Sequence, residues 1–264
     1  MDGVVIRLAE DRFWFSIADS NLLLWIRAIG VERGLDCEIF EPDVSPLAVQ
    51  GPKAEDVLVD LLGGWVRDIP FFGFESVEHE GIPFILCRSG WSGQGGFELF
   101  LTDSSLGKAL WEAVWAAGSP YGIHPGSPNL NERIESGLFS YRADCGGNAT
   151  PFEVGLEKFV SLKRTDDFIG KKALLAESER GPARRLVNVL LSGERFSLVN
   201  EHPWPAFDAD GETIGEVRVA AWSPKHRSNF ALALIENQIA GGGFTTETPD
   251  GEKLVATHLC FFGA

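Results

Sequence analysis

Arg88-Ser89-Gly90-Trp91-Ser92-Gly93-Gln94-Gly95-Gly96-Phe97-Glu98-Leu99-Phe100 is the stretch around which the rest of the chain is organised. Ile82 to Cys87, just before it, is an apolar run of strand composition. Phe97 to Leu101 reads as a second strand, so the glycines between them predict a wide hairpin loop. Gly90, Gly95 and Gly96 flank one large aromatic and one carboxylate. Glycine lets the backbone approach a flat ligand closely or turn through positive φ. Trp91 offers a ring face for stacking or for a cation, and Glu98 offers two acceptors to ring N–H groups. The plainer alternative is an ordinary glycine-rich turn with Trp91 packed in the core. A phosphate cradle is excluded, because no Gly-Lys-Ser/Thr follows and no lysine sits in the loop.

Toward the N-terminus, Val4 to Leu8 and Arg12 to Ile17 read as a hairpin. Asp19-Ser20-Asn21 supplies caps for a helix with Leu22, Leu23, Trp25, Ile26 and Ile29 on one face, ended by Gly30 or Gly34. Short strands are expected at Cys37 to Phe40 and Leu47 to Gln50, then a helix carrying Ala54, Val57, Leu58, Leu61 and Leu62. Phe71-Phe72-Gly73-Phe74 precedes a strand near Glu75 to His79. After the central hairpin, Thr102-Asp103-Ser104 starts a helix through Trp115. Asn129 to Leu138, with Pro128 at its start, reads as a polar helix that either lines a site or presents a solvated face. Tyr141 to Pro151 reads as a long loop, and Asp166-Asp167 as the cap of a short helix from Phe168. From Arg185 onward strands dominate, at Val187 to Leu191, Pro205 to Phe207, Glu216 to Ala221, Asn229 to Ile235 and Lys253 to Cys260. The expected fold class is α+β, helices on mainly antiparallel sheets, followed by a small all-β sandwich or barrel.

A net charge of -15 argues against nucleic acid and anionic membrane surfaces as partners. Cys37, Cys87, Cys145 and Cys260 form no C-x-x-C pair, which suits free thiols in a reducing cytoplasm. The five histidines are scattered without metal-ligand spacing, and no apolar run approaches a membrane span. The abrupt start at Asp2-Gly3-Val4 suggests a short or truncated reading frame.

Leu8 to Trp14, Glu41 to Pro52, Arg88 to Ser92, Gly95 to Glu98 and Pro128 to Leu138 together resemble the dimethylsulfoniopropionate demethylases of the aminomethyltransferase (glycine-cleavage T-protein) superfamily. Thr150-Pro151-Phe152-Glu153-Val154-Gly155-Leu156 is similar to that superfamily's Thr-Pro-x-Glu-x-Gly-Leu stretch, and Trp91 stands where glycine-cleavage members usually have Tyr. The resemblance implies a three-part, ring-like folate enzyme: residues 1–160 as the folate-binding and methyl-transfer region, 161–264 as a C-terminal antiparallel β-barrel domain. It implies methyl transfer from the sulfonium of dimethylsulfoniopropionate to N5 of tetrahydrofolate, with small-molecule partners, a homo-oligomer allowed for, and no metal.

Carried over by position, the resemblance implies that Glu98 anchors the pterin and that Trp91, with Phe72, walls the methyl-donor pocket. It also implies that Arg133 holds a carboxylate of folate or substrate, a structural ion pair with Glu135 or another acid being the alternative, and that Tyr141 lines the cavity or simply packs. No side chain is assigned as a covalent nucleophile. The alternatives are glycine-cleavage aminomethyl transfer, and a folate-binding paralogue or truncated remnant without turnover. Departures from the family pattern include Met1 in place of the first acidic residue before Asp2, Gly93 for Lys, Phe100 for Tyr, and Arg142-Ala143 for Gly-Asn.

Overall fold

The computed structural model describes residues 3–17, 21–127 and 129–262. Asp2, Asp19, Ser20 and Pro128, each given a motif or capping role above, lie outside the described residues. Contacts group the chain into two units, Met1–Glu132 and Arg133–Ala264.

In the first unit, β1 (Val4–Arg7) and β2 (Phe13–Ser16) pair as an antiparallel hairpin. Helix α1 (Leu22–Glu32) starts at Asn21, whose side-chain oxygen accepts the Leu24 N–H. β3 (Ser45–Gln50), α2 (Ala54–Leu62), β4 (Phe74–His79), β5 (Ile82–Cys87), β6 (Gly96–Leu101) and α3 (Gly107–Gly118) follow. The sheet runs β3-β6-β5-β4, antiparallel throughout.

Strand alternation then sorts the side chains. Phe84, Leu86, Phe97, Leu99 and Leu101 pack with Val57 and Leu58 of α2 and Leu110 and Val114 of α3. Ile85, Cys87 and Phe100 face the other way, clustered with Ile6 and Trp14 of the hairpin. Glu98 alternates with Phe97 and Leu99, so it shares the face of Phe100, away from the two helices.

Two expectations change here. Cys37 to Phe40 is not a strand, because among the described residues no strand pairs with it; the segment is tied to α1 instead, Arg27 Nε donating to the Ile39 carbonyl at 2.8 Å. Helix α1 runs through Gly30, which is buried with Ile39 and Cys37 nearby, and stops before Gly34, whose φ is +61°.

Next come α4 (Leu130–Glu135), α5 (Tyr141–Cys145) and α6 (Lys171–Arg180), with α5 replacing the expected loop. Helix α6 begins after Gly170 rather than at an acidic cap, since Asp166 is engaged by Arg164 at 2.6 Å. β7 (Arg184–Leu191), β8 (Trp204–Phe207), β9 (Thr213–Ser223), β10 (Ser228–Glu236), β11 (Phe244–Glu247) and β12 (Lys253–Phe261) complete the chain.

These six strands close into a barrel in the order β10-β7-β12-β11-β8-β9. A barrel, not a sandwich, is therefore the second unit's architecture, and full closure removes exposed sheet edges. Val187, Val189, Val217, Ala231, Ala233, Leu254 and Ala256 share one cluster. Leu186, Val219, Phe230, Leu232 and Leu234 share another with Ile134, Cys145 and Val154. β7 and β10 thus bury both faces, which is why they read as continuous apolar runs.

Candidate functional site

The central loop is held from below by two side chains. Arg88 closes its base, with Nη2 on Glu55 at 2.7 Å and Nη1 donating to the carbonyls of Ile69 and Arg67. Gln50, at the end of β3 opposite Gly96, holds its middle. The Gln50 Nε2 donates to the carbonyls of Ser89 and Phe97, both at 3.1 Å, and Oε1 accepts the Ser92 hydroxyl at 2.8 Å. A Cβ on Gly90 would sit 2.0 Å from Gln50 Oε1, so only glycine leaves room for the amide. Gly95 takes φ +80°, turning the chain back into β6.

Glu98 is half-buried on the sheet face away from α2 and α3, opposite Ala48 and Cys87. Buried Ser89 donates its hydroxyl to Glu98 Oε2 at 2.5 Å. Among the described residues no salt bridge reaches Glu98, and no hydrogen bond reaches its Oε1. Burial first, and the Glu98 charge second, push the Cys87 thiol up to about 12, so it is a neutral neighbour at physiological pH. Trp91 is 41% exposed in the loop itself. Phe72 is exposed with φ +62°, a backbone state uncommon for a bulky residue. Its N–H donates to the Arg88 carbonyl at 3.0 Å, tying it to the loop's first residue. Phe72, Trp91 and Glu98 therefore all belong to the first unit and to one hairpin system.

Arg133 and Tyr141 belong to the second unit, and both are engaged in structure. Arg133 is 1% exposed; its Nη1 donates to both oxygens of Asp144, at 2.8 and 2.7 Å. The acid it meets is Asp144, while Glu135 accepts the Ser223 hydroxyl. Tyr141 donates its hydroxyl to the Gly147 carbonyl at 2.5 Å and packs beside the cluster of Ile134 and Cys145.

Thr150 and Glu153 form a reciprocal capping box: Thr150 N–H to Glu153 Oε2 at 3.1 Å, Glu153 N–H to Thr150 Oγ1 at 3.2 Å. Arg184 adds two contacts of 2.9 Å to Glu153. Burial raises the Glu153 pKa, but the Arg184 and Thr150 hydrogen bonds outweigh it and the net shift is downward. Gln50, Ser89 and Arg88 carry no single-residue signal of a role in the sequence beyond their polarity beside a strand end and a glycine run.

The description "GCVT N-terminal domain" matches residues 1–164, and "Glycine cleavage T-protein C-terminal barrel domain" matches residues 184–260. The chain belongs to the glycine-cleavage T-protein family. The T-protein fold class expected from sequence, with its C-terminal antiparallel barrel, is the one observed.

Within the family, this chain is 42% identical over 263 residues to the dimethylsulfoniopropionate demethylase DmdA of Ruegeria pomeroyi, covering 99% of this chain and 71% of that protein. It is 39% identical over 263 residues to an aminomethyltransferase of Listeria welshimeri, covering 95% and 70%. An aminomethyltransferase of Caldanaerobacter subterraneus is 31% identical over 246 residues, and the chain spans 64% of its length. The crystal structure of aminomethyltransferase T from Bartonella henselae matches with a TM-score of 0.78 at 23% identity, covering 98% of this chain and 70% of that one, a likeness of fold. Among the described residues no helix is long and apolar enough to cross a membrane, and no group of three or more His, Cys, Asp or Glu is placed to hold a metal ion.

Proposed function

We propose that this chain is a tetrahydrofolate-dependent methyltransferase that demethylates dimethylsulfoniopropionate, giving 3-methylmercaptopropionate and 5-methyltetrahydrofolate. The observation that carries the reading is Glu98: a half-buried carboxylate on the sheet face away from the two helices, steadied by Ser89 on Oε2, with Oε1 left to accept pterin N–H groups. The 42% identity to a demethylase over nearly the whole chain supports the choice of methyl donor.

The chemistry asks little of the protein beyond alignment. A sulfonium carbon carries a neutral thioether leaving group; as the bond from N5 to carbon forms, the carbon–sulfur bond breaks, and the N5 proton passes to solvent. Holding donor and acceptor in line supplies much of the acceleration. Glu98 orients the acceptor ring, and the Trp91 face, with Phe72, attracts the sulfonium cation. Arg133 and Tyr141, the other two ligand residues that the resemblance implies, are held within their own unit by Asp144 and by the Gly147 carbonyl. Residues 1–160 form the functional folate region in this reading, and 161–264 the barrel domain, in the cytoplasm, with small molecules as partners.

Anaerobic incubation with tetrahydrofolate and dimethylsulfoniopropionate, followed by chromatography for 5-methyltetrahydrofolate, tests the activity. Glu98→Ala is expected to weaken tetrahydrofolate binding by about tenfold or more; affinity within twofold of the parent sinks the anchoring role. The aminomethyltransferase relatives favour a second reading, aminomethyl transfer from a lipoylated carrier protein. Production of 5,10-methylene-tetrahydrofolate from that donor, and no product from the sulfonium, decides for it.

A further inference from the structure

We infer that Gln50 is a positioning residue of the methyl-transfer site: its amide sets the conformation of residues 88–97 and thereby the placement of Trp91 and Glu98. The inference deepens the proposed function and rests on it for the identity of the ligand. Gln50 lies on a different strand from the loop and is separated from Ser89 by 39 positions in sequence. One amide nonetheless fastens both ends and the middle of the turn. Its two N–H groups bind the carbonyl of Ser89, before the turn, and that of Phe97, after it. Its oxygen takes the hydroxyl of Ser92, which in turn accepts the Gln94 N–H at 3.2 Å.

Two of the loop's glycines are shaped to this amide. A Cβ on Gly90 would meet Gln50 Oε1 at 2.0 Å, and one on Gly96 would meet its Nε2 at 2.7 Å. The Ser89 whose carbonyl is fixed also supplies the hydroxyl on Glu98, and Phe97 and Glu98 are adjacent. Gln50 thus fixes both the hydrogen-bond partner of the carboxylate, Ser89, and its chain neighbour, Phe97. A loop with several glycines has many backbone states, and a single amide with three hydrogen bonds selects one of them. Glutamate in its place keeps the size but loses both donors and sets a charge against two carbonyl oxygens.

The test uses the whole chain and the variants Gln50→Ala, Gln50→Glu, Gly90→Ala and Gln50→Ala/Gly90→Ala. Two readouts need no folate: amide hydrogen exchange of peptides spanning residues 88–97, and acrylamide quenching of Trp91 taken against Trp91→Phe. The third is methyl-transfer kinetics. Both Gln50 variants are expected to speed loop exchange by about tenfold or more, and to raise KM for tetrahydrofolate by a similar factor while kcat at saturation changes less. Gly90→Ala displaces the amide and gives the same loosening, so the double variant exchanges no faster than Gly90→Ala alone.

Exchange that stays at the parental rate in folded Gln50→Ala overturns the inference, as does a double variant whose effects add. Faster exchange with an unchanged KM also overturns it. If the parent itself neither binds tetrahydrofolate nor turns over, the proposed function fails, and exchange and quenching still decide for or against the role of Gln50 in setting the loop.

Discussion

Asp144 in the barrel unit and Glu98 in the hairpin unit are two carboxylates drawn inward by their surroundings, and the company they keep is different. Asp144 is fully buried and meets a full positive charge: Arg133 on both oxygens, with the Ser140 N–H on one of them at 2.7 Å. Glu98 is half-buried and meets one neutral hydroxyl. A buried charge that is paired and hydrogen-bonded becomes part of the framework, and removing either partner is costly. A carboxylate steadied by one hydroxyl keeps part of its acceptor capacity for something else. In the proposed function, that difference is what separates the structural acid Asp144 from the pterin-binding acid Glu98.

Breaking the pair in the barrel unit gives the largest effect. Arg133→Ala takes the guanidinium away from buried Asp144 and is expected to lower stability by about 3–5 kcal/mol in chemical denaturation. Arg133→Met/Asp144→Leu, which removes both charges, should recover most of that loss. If Arg133→Ala instead melts like the parent and loses activity through KM, Arg133 is a ligand residue and the contrast with Glu98 collapses. Next in size is Glu153→Gln, expected to cost about 1–3 kcal/mol near neutral pH through the weakened Arg184 contacts. The Glu153 pKa is depressed in the folded chain, so its stabilisation is present above the unfolded carboxylate range and lost as pH falls through the folded value. Acid titration of stability should therefore be steeper for the parent than for this variant. Glu98→Gln stands at the other end for stability, within about 1 kcal/mol, while abolishing most tetrahydrofolate binding.

How much of this was legible depended on whether the cause was local. Ile82 to Cys87 and Phe97 to Leu101 announce their strands by composition, and the glycines between them announce the hairpin. Trp91 stood out as a large aromatic within the glycine-rich turn, and Glu98 as a charge in the apolar strand that follows it. Phe244–Glu247 was missed, since four residues carry little periodic signal and the strand exists because β8 and β12 lie on either side. Cys37 to Phe40 failed in the opposite sense, having strand composition without a neighbour. The partner of Arg133 was unreadable for the same reason: Asp144 lies 11 positions away, on a helix that was read as loop. Gln50 belongs here too, its hydrogen bonds being set by register across β3 and β6.

The smallest effect sharpens the comparison most. Cys87, the cross-strand neighbour of Glu98, is held neutral up to about 12 by burial and then by the Glu98 charge. A thiol whose folded pKa is raised contributes stability that is fully present below its unfolded value of about 8.5 and is lost as pH rises from there through the folded value. Cys87 should stay unmodified by a thiol reagent at mildly alkaline pH while exposed Cys37 and Cys260 react. Glu98→Gln removes the second of the two causes, so the onset of Cys87 modification should move to lower pH, with mass spectrometry of the labelled peptide as the readout. An onset that does not move means that burial alone holds the Cys87 thiol up. The contrast with Asp144 would then rest on hydrogen bonding alone, one carboxylate held by a guanidinium and the other by a hydroxyl.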